Sequence, residues 1–172
     1  MLFTLLAFPA CHLQAVSSGA EPLDRIMATR AREFGVPERG LETYEQALAA
    51  FQRIQPERFF EMLVDTSEMV SIEEDIFRTS LDLYSEGEIA AVGEFSVLLS
   101  ERLGDVGSAR QVYEEVMAEL LDARNRAWMA SLLPEVRRGG AFVAVGALHL
   151  PGESGLVELL RNEGFTLTLI SD

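Results

Sequence analysis

A histidine three residues after a glycine, inside the stretch GAFVAVGALHLPGESG (Gly140–Gly155), is the clearest chemical signal in the chain. The sequence holds only two histidines. His149 follows an apolar run and precedes a turn, so it stands where the carboxyl end of a strand would present a side chain. An imidazole there can ligate a metal or move a proton near neutral pH. Gly146 would let the backbone turn or approach another group closely. The next helix is expected to begin near Gly152 to Ser154, and its N-terminus would favour an anion nearby. The same histidine can equally be hydrogen-bonded at a strand end for structure alone, and the spacing by itself does not choose. The second histidine, His12, adjoins the sole cysteine, Cys11. Adjacent side chains point in different directions, so a buried thiol is expected there rather than a nucleophile.

The totals bound what these residues can serve. A chain of 172 residues suggests one domain with a real core. It carries 28 acidic residues against 14 basic ones, a net charge of −14, and every basic residue is arginine. Such a surface repels phosphate backbones and has no polybasic grip on anionic lipid, which excludes nucleic acid as a partner class. One cysteine allows no internal disulfide and no CxxC metal pair. The apolar run Leu2 to Cys11 lacks a basic flank for a signal peptide and is too short to span a bilayer. It reads as a buried helix or loop that begins abruptly, and the compartment stays open.

Several elements must position the histidine. Leu23 to Phe34 has helical apolar spacing and stops at Gly35. A strand is expected around Arg39 to Leu41. Thr43 and Gln46 have the spacing of a capping box for the helix YEQALAAFQRI. A helical pattern runs from Pro56 to about Tyr84, another from the turn at Gly87 to Leu103, and a long one from Ser108 to Arg138, with Pro134 inside it. Gly139 and Gly140 end it. AFVAVGAL then reads as a strand covered on both faces, LVELLRNEG as a short helix and FTLTLI as a second strand. The fold class expected is α/β, helix-rich and α+β-like: a small, mostly parallel sheet with a C-terminal βαβ unit packed by several helices.

The wording of these segments resembles a known family. RNRAWMASL followed by GGAFVAVGALHLPGESGLVELLRNEGFTLTLI is similar to the C-terminal part of the TraB/GumN family, which includes the PrgY and Tiki proteins. GVPERGLETYEQALAAF and YSEGEI resemble its middle segments, and the likeness covers nearly the whole chain. It implies an α/β domain with two Gly-x-x-His motifs, a carboxylate and an arginine around one pocket, and metal-dependent protease chemistry of the Tiki kind. Carried over by motif, Gly146 and His149 form the second Gly-x-x-His, Glu42 is the acid of LET, and Arg124 and Asn125 are the pair in RNRAWMA.

Under that resemblance, His149 would be a metal ligand. Glu42 would ligate or act as base on a metal-bound water, Arg124 would clamp a carboxylate or oxyanion, and Asn125 would orient the arginine. The bland readings stand beside these: a solvated acid ahead of a helix, an i,i+4 ion pair for Arg124, a local bond for Asn125. The first Gly-x-x-His of the family has no clear counterpart, FPACHL having Pro9 where the glycine should stand. The chain is therefore expected to be an N-terminally truncated member. The function expected is a metal-dependent hydrolase, protease-like, using manganese or cobalt on a peptide substrate, and impaired or inactive alone. A non-catalytic binding or regulatory module of the same fold is the alternative. Self-association through an exposed sheet edge is a further expectation.

Overall fold

The computed structural model describes residues 17–57, 72–103 and 109–170, together with Gln14. The stretch FPACHL, with Cys11 and His12, and positions 58–71 of the helical pattern that follows Pro56 lie outside the described residues. In chain order the elements are α1 (Leu23–Glu33), α2 (Tyr44–Arg53), α3 (Glu73–Ser85), α4 (Ile89–Leu103) and α5 (Ala109–Met117). A π-helical turn (Ala118–Asp122) leads directly into α6 (Ala123–Arg138), followed by a 3-10 turn (Ala147–His149) and α7 (Leu156–Asn162). Among the described residues no helix is long and apolar enough to cross a membrane.

Local chemistry explains where the helices start and stop. Thr43 accepts from the Gln46 backbone N–H, and the Gln46 side chain accepts from the Thr43 N–H, so two orphan donors at the head of α2 are satisfied reciprocally. The helix through α5 and α6 runs on past Pro134 and ends at Gly139, whose φ of 82° a side chain with a Cβ rarely adopts.

The expected sheet is not there. Among the described residues no strand forms, neither around Arg39 to Leu41 nor in the two C-terminal segments, so the βαβ reading is overturned. A strand exists only through its ladder, and residues 141–145 and 166–170 make no backbone hydrogen bond to each other or to other described residues. The apolar run that reads as covered on both faces is largely open, with Phe142 74% exposed, and in the second segment Ile170 is 90% exposed. The sheet edge expected to drive self-association is accordingly absent among the described residues.

Helix packing supplies the core instead. Ile54, at the end of α2, packs on Val112 and Val116 of α5, with Leu120 of the π-helical turn against them. Trp128 and Leu132 of α6 pack on Leu156 of α7, with Leu41 and Val145 at the edge. Burying each such side chain is worth about 2 kcal/mol. This second cluster forms the floor of the site, because it fixes the turn before α2, the α6 helix and the loop around His149 in one place.

Candidate functional site

One face of α6 gathers the site. Arg124 and Trp128 are four residues apart and share a face, while Asn125, Trp128 and Leu132 make the buried stripe. The π-helical turn just before them inserts one residue into the helix, rotating α6 by about 100° relative to α5. That turn is held against α2 by an ion pair between Arg53 and Glu119 at 2.6 Å. The turn carrying Glu42 is tied to α6 by Ser131, whose hydroxyl donates to the Leu41 carbonyl at 2.7 Å.

Glu42 meets Arg124 in a two-pronged pair. The Arg124 Nη2 donates to Oε1 at 2.5 Å and its Nε to Oε2 at 3.2 Å. The Trp128 indole N–H adds a third bond, to Oε2 at 2.9 Å. Arg124 also donates Nη1 to the Leu120 carbonyl and lies over the Trp128 ring, 4.9 Å from its centroid. Glu42 is thus neither a solvated acid nor idle, and Arg124 pairs across 82 positions rather than within its own helix. Burial works against the Glu42 charge, but the bonds from Arg124 and Trp128 and the Arg124 charge outweigh it, holding the carboxyl below its ordinary 4.5.

His149 lies in the 3-10 turn rather than at a strand tip, and only 7% of it is exposed. Its ring sits 4.4 Å from the Trp128 ring. Asn125 holds it: the Nδ2 amide donates to the His149 carbonyl at 3.1 Å and to the Ser154 carbonyl at 2.9 Å. The Asn125 Oδ1 lies 2.6 Å from His149 Nδ1. Two carbonyls fix which end of the amide is nitrogen, so Oδ1 is an acceptor and Nδ1 must carry the proton. The lone pair is therefore on Nε2, for which no described residue is a hydrogen-bond partner. Asn125 orients the histidine, not the arginine.

Burial, with the Arg124 charge added and Glu42 opposing, pushes the His149 imidazole down from 6.5 to about 4. Between those values the unfolded chain binds a proton that the folded chain refuses. Stability from this group is full above pH 6.5 and drains away as pH falls toward 4. The loss is on the order of 3 kcal/mol across that window. Urea unfolding from about pH 7 to pH 4.5 should show this slope in the wild type and a shallower one in His149→Gln. Equal slopes would mean that the imidazole is not held neutral. The Glu42 contribution has the same sign but sits lower: it is present above 4.5 and lost below.

The sequence-derived residues Glu42, Arg124, Asn125 and His149 thus come together around Trp128, which motif reasoning leaves unassigned although it stands four residues after Arg124. Gly146 does not act as expected. Its φ is −59°, and a Cβ there would meet the His149 Cδ2 at an ordinary 3.6 Å. Gly155 is the tight glycine: a Cβ there would run into the carbonyl groups of Leu150 and Pro151. The helix after the histidine begins at Leu156, later than the Gly152 to Ser154 expected.

The donor set can be tested against a divalent metal. A neutral imidazole with its other nitrogen tied to Asn125 is the form that ligates. Glu42 does not fit, since both its oxygens are taken by Arg124 and Trp128. No three His, Cys, Asp or Glu side chains stand together among the described residues. A catalytic metal commonly needs three protein ligands, and the described residues supply one, so they do not by themselves fit a metal centre. The adjoining pocket, about 220 Å³, opens on the Glu42 and Arg124 side of Trp128, and His149 does not line it.

Among curated proteins and solved structures, none matches this chain. The sequence profile of the TraB/PrgY/gumN family matches residues 1–169. With a match that spans nearly its whole length, the chain belongs to the TraB/PrgY/gumN family.

Proposed function

We propose that the chain is a hydrolase of peptide-like substrates, with His149 as the group that handles the proton. The observation that carries this reading is the Asn125–His149 pair, which leaves a neutral imidazole with its lone pair on Nε2. In the hydrolytic step Nε2 takes a proton from water as the water oxygen bonds to the substrate carbonyl carbon, then returns it to the leaving amine. Arg124 keeps one N–H on each terminal nitrogen beyond those given to Glu42 and Leu120, and one of the two can face the developing oxyanion. An imidazole held at about 4 is uncharged at neutral pH, with Nε2 unprotonated, but it is a weak base, so the chain alone is expected to be slow. Manganese or cobalt would take the same Nε2.

A second reading, a non-catalytic binding or regulatory module, is favoured by Glu42, whose carboxylate is fully engaged by donors of the fold itself. Peptide mixtures incubated with the protein, with and without Mn²⁺ or Co²⁺ and analysed by mass spectrometry, separate the two. Cleavage lost in His149→Gln and kept in the surface change Glu158→Gln is the expected result. No cleavage under any condition sinks the hydrolase and leaves the binding module. Calorimetric titration of Mn²⁺ completes the test, since equal binding by wild type and His149→Gln removes His149 as a ligand.

A further inference from the structure

We infer that the pocket beside Trp128 binds a small carboxylate with an apolar body, of the kind presented by the free C-terminal residue of a peptide. This deepens the reading of Glu42, Arg124 and Trp128 as part of a functional site and rests on it, but not on hydrolysis.

Several side chains around the pocket have hydrogen-bond donors with no partner among the described residues. Arg53 uses only its Nε, on Glu119, and no described residue accepts from its two terminal nitrogens. Gln46 spends its Oε1 on the Thr43 N–H in the capping box. That bond fixes which end of the amide is oxygen, so the other end is an NH₂, with no acceptor among the described residues. Arg124 retains one N–H on each terminal nitrogen. Among the described residues Glu42 is the one carboxylate lining the pocket, and both its oxygens are already engaged, by three donors in all. What the pocket has left to offer is therefore donors, from Gln46, Arg53 and Arg124 together.

A carboxylate is the common biological group that accepts and never donates when ionised, and an arginine fork matches it in the plane. The remaining walls are apolar: Leu41, Ala49, Ala123, Ala127 and the Trp128 ring. A volume of about 220 Å³ holds one residue-sized body and little more. The net charge of −14 repels anions at a distance, but that field is screened within about a Debye length, whereas these donors act at contact.

The test uses the whole chain and two probes, N-acetyl-leucine and N-acetyl-leucinamide, which differ only at the carboxylate. Binding is read by ¹H–¹⁵N chemical-shift titration, where no turnover is required. The acid is expected to bind at least about tenfold more tightly than the amide. Two variants check the donors. Arg53→Gln removes the cation, and Gln46→Glu keeps the capping oxygen while turning the pocket-facing amide into an acceptor. Each is expected to weaken the acid by at least about tenfold while leaving the amide little changed. Equal binding of acid and amide, no binding of either, or full acid affinity in both variants would each overturn the proposal. Repeating the titration in His149→Gln keeps the two ideas apart. Retained acid binding there upholds the pocket even if no peptide is ever cleaved. Equal binding of acid and amide alongside peptide cleavage sinks the pocket and spares the hydrolase.

Discussion

Asn125→Ala is expected to cost about 4 kcal/mol in urea unfolding and to release His149 from a single tautomer. Asn125 is 1% exposed, so nothing from solvent replaces what it does. Its removal strands three groups at once: the buried His149 carbonyl and Nδ1–H, and the part-buried Ser154 carbonyl. Each unsatisfied group costs roughly 1–3 kcal/mol, against a gain of almost nothing from the smaller side chain. The companion change Asn125→Asp separates stability from electrostatics. It returns the acceptor for Nδ1 but faces two carbonyl oxygens with a carboxylate, so it too should destabilise. The negative charge would also favour the imidazolium, raising the His149 pKa well above its present value of about 4. With two histidines in the chain, proton NMR can follow the titration directly. An Asn125→Ala variant within about 1 kcal/mol of wild type, or an unmoved titration in Asn125→Asp, would remove Asn125 as the anchor of the histidine.

The second large effect concerns a pair of glycines. Gly155→Ala is expected to cost about 3–5 kcal/mol, and Gly146→Ala less than about 1 kcal/mol. A Cβ at Gly155 would lie 2.5 Å from the Pro151 carbonyl carbon and closer still to the oxygens of Leu150 and Pro151. These are backbone atoms that cannot step aside as the tip of a side chain can. They belong to a loop closed by the Gly155 N–H on Gly152 and the Val157 N–H on Leu150. Opening that loop moves Ser154 and His149, the two residues whose carbonyls Asn125 holds, so Gly155→Ala should also shift the His149 resonances. Gly146, by contrast, has a φ that any residue adopts and room for a methyl group. Thermal unfolding of the two variants decides it: equal losses would show that the glycine of the motif is needed for its backbone after all.

That reversal shows what could be read from the residues alone. The capping box of α2 and the glycine stop after α6 were legible because both are local, decided by residues within one turn. Glu42, Arg124, Asn125 and His149 could be named only through likeness to family motifs, and their partners could not be named at all. The bond from Trp128 to Glu42 spans 86 positions, and no local pattern carries it. The π-helical turn was illegible for a different reason: Ala118–Asp122 has ordinary helix-forming composition, and the extra residue shows only in the backbone bonds. The sheet was misread because AFVAVGAL states a preference, whereas a strand needs a partner, and apolarity does not reveal whether one exists.

Trp128 has one more consequence. It is the only tryptophan in the chain, so its fluorescence, excited apart from the tyrosines, reports on this site and nowhere else. The indole is 5% exposed, bonds to Glu42, stacks against His149 and lies under Arg124. Protonating the imidazole, filling the pocket or breaking the Glu42–Arg124 pair would each change the emission of the same ring. The fold has thus placed an intrinsic optical probe at the point where its acid, its cation and its histidine meet.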